Sequence, residues 1–276
     1  MRQESIKAKL VALSGRLDRD FNALAVEFAI ERLVTRLQAD VVLSKHLVFK
    51  GGFVLLKAYG SNRATIDLDA SIQKISIEDA ESKAKAVITQ EWQDGLWMGS
   101  IVVEDLRHQT EYAGRRLTIR FSFGKPKAEA SRLGKLILDI GVADKITPGP
   151  VNSEMQTLLG EEPVSWKIYP VETIVAEKLH ALVAHGSQNS RVKDIYDLVV
   201  LLPKCENLTI LMHAIDRTFQ HRSTEVPLSF RDYWRNLDKT ILRRSSGAVY
   251  AATGSIPKFG ELDKQLKALL TGLEKG

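Results

Sequence analysis

Residues Lys50–Ile72 read KGGFVLLKAYGSNRATIDLDASI, and the stretch from Ala64 to Ile72 decides the fold. It alternates: Ile66, Leu68, Ala70 and Ile72 fall on one side, and Thr65, Asp67, Asp69 and Ser71 on the other. That is the period of a half-buried β-strand. Aspartate is disfavoured in strands, and two like charges on one face repel unless something lies between them. Same-side residues stand about 6.6 Å apart along a strand, close enough for both carboxylates to lean onto one divalent ion. A solvated polar face beside a turn is the other reading of a lone Asp-x-Asp.

Working outward, Gly51-Gly52 breaks the preceding pattern, Phe53–Tyr59 reads as a short helix, and Gly60-Ser61-Asn62 turns into the strand. Upstream, Val26, Ile30, Val34, Leu37 and Val41 recur at three- and four-residue steps and predict helix through the first 45 residues. Downstream, Glu78–Glu91 is helical, while Ser100–Glu104, Arg116–Phe123, Lys135–Val142 and Val164–Ile168 read as strands. Gly124–Gly134 and Ala143–Ser153 carry loop residues. From Val171 onward the pattern is almost wholly helical. The order predicts an α+β fold, with helices covering one face of a small sheet and a helical C-terminal half. Residues 1–169 and 170–276 are the expected domains.

The chain has 276 residues, enough to bury a core, and its 44% hydrophobic and 26% charged content is that of a globular protein. The lone cysteine, Cys205, excludes a disulfide framework and a four-cysteine metal site, and suits a reducing cytoplasm. The N-terminus lacks the apolar run of a signal peptide, and no window of 18 apolar residues occurs, so a cytoplasmic location without a membrane span is expected. Net charge is +5, concentrated in Arg107–Lys135 (eight Lys/Arg against two acids) and Arg231–Arg244 (five against two). Such clusters suit a polyanion; solvated surface charge is the competing explanation.

Three further carboxylates and one lysine stand out. Asp139 sits in the apolar strand Leu136-Ile137-Leu138-Asp139-Ile140, where it needs a metal or an arginine as partner. Lys178 has Ile174, Val175, Ala181 and Leu182 as helix neighbours, so it lies on an inward face. It either snorkels to water or delivers an ammonium to a phosphate. In Arg191-Val-Lys-Asp194-Ile-Tyr-Asp197-Leu, the stripe Ile195, Leu198, Val199 and Leu202 places Asp194 about 40° from Leu198, with Asp197 farther out. Asp194 then serves as an ion-pair partner of Lys178 or Arg191, as a first-turn charge, or in catalysis. His180 reads as a helix-surface residue. Phosphate-loop, dinucleotide, zincin and nucleophile-elbow motifs are absent from the sequence.

Four segments occur in the order found in the AbiEii/AbiGii toxin family of nucleotidyltransferases, relatives of the MenT toxins within the polymerase-β-like superfamily. They are Phe49-Lys50-Gly51-Gly52, Arg63-Ala-Thr65-Ile-Asp67-Leu-Asp69, Ala176-Glu-Lys178-Leu-His-Ala-Leu182 and Arg191-Val-Lys-Asp194-Ile-Tyr-Asp197-Leu198. The chain resembles that family over roughly residues 40–205, departing from it at Phe53, where a small hydroxyl residue is common. The resemblance implies a nucleotidyltransferase-type small mixed sheet flanked by helices, with the C-terminal domain completing the active-site cleft. It implies transfer of a nucleoside monophosphate from an NTP to the 3′ end of tRNA, with Mg²⁺ as cofactor. It also implies a cognate antitoxin in a toxin–antitoxin or phage-defence pair. Asp67, Asp69, Lys178 and Asp194 take the catalytic places, with Asp139 a third candidate metal ligand beside Asp67 and Asp69. Lys50, Gly51, Gly52, Arg63, Thr65 and Arg191 take the nucleotide-binding places, and Asp197 lies beside them. A protein side chain as acceptor, or a module that binds nucleotide or RNA without turnover, are the alternatives.

Overall fold

Strands β1 (Leu47–Lys50) and β2 (Asp67–Ile72) form an antiparallel pair at the centre of the fold, in a computed structural model that describes residues 3–106, 114–142, 145–247 and 258–273. Five more strands complete the sheet: β3 (Leu96–Asp105), β4 (Gly114–Phe123), β5 (Gly134–Val142), β6 (Val151–Met155) and β7 (Val164–Ile168). The sheet has seven strands in the order β3-β4-β5-β2-β1-β7-β6. β2 runs parallel to β5 and β1 parallel to β7, whereas β3, β4 and β5 are antiparallel neighbours, so the sheet is mixed.

The alternation read from the sequence sets its two faces. Leu117, Ile119 and Phe121 of β4, with Leu136, Leu138 and Ile140 of β5, are buried on one side. Helices α1 (Gln3–Leu17), α2 (Phe21–Ala39), α3 (Leu43–His46) and α5 (Ile77–Thr89) belong to the same unit, with α2 and α5 packed on the strands. Asp20 caps α2 by accepting from Ala23 N, and Ser76 caps α5 by accepting from Asp79 N. Between β1 and β2 lies α4 (Gly51–Ala58), whose Lys57 ammonium reaches Glu27 at 2.6 Å and Glu31 at 2.5 Å on α2. Glu31 also accepts from Leu158 N, which ties the β6–β7 connection to α2. Burial raises the Glu31 pKa, Lys57 lowers it, and the balance lies at about 7.

By its internal contacts the chain separates into two units. One holds Met1–Ala58, Ala64–Asp144 and Asn152–Ile168; the other holds Tyr59–Arg63, Lys145–Val151 and Tyr169–Gly276. The second unit contains α6 (Val171–His185), α7 (Val192–Leu201), α8 (Leu208–His221), α9 (Phe230–Asn236), α10 (Thr240–Arg244) and α11 (Phe259–Gly272). Its core includes Leu179, Leu182, Ile195, Leu198, Phe219, Trp234 and Leu266. Among the described residues no helix is long and apolar enough to cross a membrane.

Four local expectations change. Residues 47–50 form a strand that was not expected, and the strand over 151–155 begins within the expected loop 143–153 and runs past its end. β2 begins at Asp67, leaving Ile66 47% exposed. His180 is buried: Arg222 Nη1 donates to its Nδ1 at 3.2 Å and its Nε2 meets Thr224 Oγ1 at 2.9 Å, so it is a packed polar residue of the second unit. Arg107, part of the first basic stretch, and Ala143, in the expected loop, lie outside the described residues.

Candidate active site

In the first unit, strand register assembles a row of charges. Lys50 of β1 stands opposite Asp69 of β2, Asp69 opposite Asp139 of β5, and Asp139 opposite Arg116 of β4. Arg116 in turn stands opposite Glu104 of β3; directly opposed residues share a face of the sheet, so the row reads plus, minus, minus, plus, minus. Two adjacent carboxylates would repel, but each has a cation on its outer side. Arg116 grips Asp139 with a two-pronged contact, Nε to Oδ1 at 2.8 Å and Nη2 to Oδ2 at 2.7 Å. Of the two partners considered for Asp139, the arginine is therefore present, and it engages both carboxylate oxygens.

Asp67 lies on the same face one pleat away, opposite Ile137. Thr65 fixes the entry to this strand: Asp67 N donates to Thr65 Oγ1 at 3.2 Å, and Thr65 Oγ1 donates to the Asp67 carbonyl at 3.2 Å. Gly51 adopts φ +74°, and a Cβ placed there would come within 1.9 Å of Asp69 Oδ2. The missing side chain at Gly51 is thus room for the Asp69 carboxylate and a backbone turn that other residues rarely adopt. Gly52 is buried in the first turn of α4.

The donor set can be tested against Mg²⁺. Among the described residues no group of three or more histidine, cysteine, aspartate or glutamate side chains is arranged to hold a metal ion. Mg²⁺ is commonly held by one or two carboxylates, with waters and substrate phosphates completing an octahedron. Asp67 and Asp69 fit that pattern; Asp139, engaged by Arg116, is a neighbour of the pair.

The second unit carries a separate ionic cluster. Lys178 Nζ on α6 lies 2.7 Å from Asp194 Oδ1 and 2.7 Å from Asp197 Oδ2 on α7. Arg191 Nε binds Asp194 Oδ2 at 2.6 Å, and Arg63 Nη2 reaches Asp197 Oδ2 at 3.3 Å. Three cations face two carboxylates, and the surplus positive charge ends at Arg191, whose side chain is 59% exposed. Snorkelling is excluded: the Lys178 ammonium is enclosed by carboxylates. Burial alone would lower its pKa, but Asp197 and Asp194 outweigh that and hold it above lysine's usual value. Burial would raise the Asp194 pKa, but Lys178 and Arg191 draw it down to about 2.

Asp197 corrects the helical-wheel reading. It is fully buried, because the packed face of α7 extends to Leu201 and Val192 and so takes in both aspartates. Its Oδ1 has no hydrogen-bond partner among the described residues. Arg116 was absent from the sequence-derived candidates. Its alternation in β4 was visible, but its pairing with Asp139 depends on a strand register that no local pattern encodes.

The family described as nucleotidyl transferase AbiEii toxin, of the type IV toxin–antitoxin system, matches residues 32–266. Among solved structures, JHP933 from Helicobacter pylori is 21% identical with a TM-score of 0.57, covering 92% of this chain and 92% of that one. A second H. pylori protein, provisionally named a nucleotidyltransferase, is 20% identical with a TM-score of 0.56, covering 92% of this chain and 95% of the other. These two likenesses establish the fold. The search of curated proteins gave no match.

Proposed function

This chain belongs to the AbiEii family of nucleotidyltransferase toxins of type IV toxin–antitoxin systems, and we propose that it transfers a nucleoside monophosphate from an NTP to the 3′ end of tRNA with Mg²⁺ as cofactor. The observation that carries this reading is the Asp67–Asp69 pair on one face of β2, beside the Asp139–Arg116 fork. Asp67 and Asp69 would hold Mg²⁺, which would supply Lewis-acid stabilisation of the charge on the reacting phosphate. In the transfer, the terminal RNA hydroxyl gives up its proton to water and forms a bond to the α-phosphorus as the bond to pyrophosphate breaks. Arg116 would hold Asp139 oriented beside Asp69 through its two-pronged contact. Lys50 balances the carboxylate row from its other side.

To the second unit's cluster we assign charge on the triphosphate and on departing pyrophosphate. Lys178 would act there with Arg63 and Arg191, and Asp194 and Asp197 would fix the ammonium. The same reading assigns the chain a cognate antitoxin, a cytoplasmic site of action and a role in phage defence. The test incubates the full chain with total cellular RNA and each NTP labelled at the α-phosphate, with Mg²⁺ or with excess chelator. The reading expects label in tRNA-sized RNA only with Mg²⁺. Label in protein, or label without a divalent cation, would overturn it.

A further inference from the structure

The face of the sheet that carries Asp67 and Asp69 continues across β5, β4 and β3. One pleat from the charged row, Asp67, Ile137, Thr118 and Val102 stand opposite one another in turn. Next come Lys135, Arg120 and Gly99, then Ser122 and Trp97. None of these side chains is in the buried core formed by the opposite face: Val102 is 59% exposed, Lys135 is exposed, and Ile137, Thr118, Arg120, Ser122 and Trp97 are half-buried. A Cβ on Gly99 would lie 2.6 Å from Trp97 Cζ2, so the absence of a side chain there lets the indole lie over the strand. Trp97 also borders a cavity of about 310 Å³ whose other walls include Glu91, Trp92 and Lys125 and, from the buried face of the same strand, Leu96 and Met98.

The charge of this face is graded. Arg116 is consumed by Asp139, but Lys125, Lys127, Arg132 and Lys135, on the β4–β5 connection and the start of β5, are exposed, and no carboxylate of a described residue pairs with them. Arg120 adds a guanidinium whose Nη1 donates to the Leu133 carbonyl at 3.4 Å. The face therefore runs from a carboxylate pair at one end to an aromatic ring beside cations at the other, about 13 Å from Asp67 and about 20 Å from Asp69 along the strands. A groove with backbone-binding cations and an aromatic ring for stacking is how proteins hold single-stranded nucleic acid.

We propose that this open face of β3–β4–β5 is the track for the single-stranded 3′ end of the RNA acceptor. The terminal hydroxyl lies toward Asp67 and Asp69, the preceding phosphates lie along Arg120 and Lys135, and a base stacks on Trp97. The inference rests on the RNA-acceptor reading above, and commits it to one surface and one polarity. A protein partner on the same face would need no stacked base and no charge along a backbone path.

The test uses the full chain and a labelled single-stranded RNA of about 12 nucleotides. Binding is read by fluorescence anisotropy and by quenching of tryptophan emission, over a series of salt concentrations. Trp97→Leu should weaken binding about 5- to 100-fold, whereas Trp97→Phe, which keeps a ring, should stay within about threefold. Arg120→Gln with Lys135→Gln should reduce the log–log salt slope by about 1.4, as expected for two lost contacts to a single strand. Melting curves show that each variant is folded, and the Phe variant separates lost stacking from lost packing. RNA binding by the wild type that these changes leave untouched, or no binding by the wild type, overturns the track. Transfer by the wild type from labelled NTP to tRNA is scored separately, so the track can fail while the acceptor reading stands.

Discussion

Replacing Lys178 with methionine should destabilise the second unit by about 3 kcal/mol at neutral pH, near the lower end of the cost of removing one partner from a buried ion pair. The structure apportions the loss. Asp194 keeps Arg191 at 2.6 Å, whereas Asp197, fully buried, keeps among the described residues only the Arg63 ion pair at 3.3 Å. The drop of the Asp194 pKa from 3.8 to about 2 corresponds by linkage to about 2 kcal/mol, part of which Arg191 retains. The sign follows from both ions. The Asp194 contribution is present above its usual 3.8 and fades as pH falls toward 2. The Lys178 contribution is complete below lysine's usual 10.5 and fades only as pH rises through the raised value. The deficit of the variant should therefore be nearly constant from about pH 5 to 9 and shrink in stronger acid. Thermal unfolding followed by circular dichroism should show a loss of roughly 6–12 °C at pH 7. Adding Asp197→Asn should recover about half of it, because the orphaned charge goes too. A Lys178→Met protein melting within about 2 °C of wild type would refute this account of the cluster.

Gly51→Ala should cost upwards of about 2 kcal/mol and lower transfer, since the new Cβ falls 1.9 Å from Asp69 Oδ2 at a φ of +74°; unchanged melting and turnover would show that Asp69 has room to move. Asp67→Asn and Asp69→Asn should each remove transfer by at least about 100-fold while keeping the fold, and Mg²⁺ should raise the melting temperature of the wild type only. Protection of either variant by Mg²⁺ would count against the ligand assignment. Glu31, with its pKa pushed from 4.5 up to about 7 by burial, should make the first unit lose up to about 3 kcal/mol as pH rises from about 5 to 8. Glu31→Gln should flatten that slope in urea titrations at several pH values; an unchanged slope would place the titration elsewhere.

Elements with a clear period were legible from the sequence. The alternation of Leu117, Ile119 and Phe121 located β4, and the apolar neighbours of Lys178 located the inward face of α6. β1 was not legible because Leu47-Val48-Phe49 is a short apolar run after a long helix, with no alternation to tell strand from helix. β6 was hidden because Val-Asn-Ser-Glu-Met follows a proline- and glycine-bearing stretch and is mostly exposed. The candidate carboxylates were visible as residues, but their company was not. Asp139 opposite Asp69 follows from pairing of β2 with β5, far apart in the chain, and Arg116 opposite Asp139 from the register of the consecutive strands β4 and β5. Asp197 was misplaced because the wheel ranked apolar faces alone, while Lys178 and Arg63 supply the partners that let an aspartate be buried.

Treating tRNA with periodate removes its terminal ribose diol and leaves the rest of the molecule intact. Intact and oxidised tRNA should then be offered to the wild-type chain with α-labelled NTPs and Mg²⁺. If Asp67 and Asp69 serve attack by the RNA 3′ hydroxyl on the α-phosphorus, intact tRNA should acquire label and oxidised tRNA should acquire none. Equal labelling of both, or labelling of neither, would contradict the claim that this chain extends the 3′ end of tRNA.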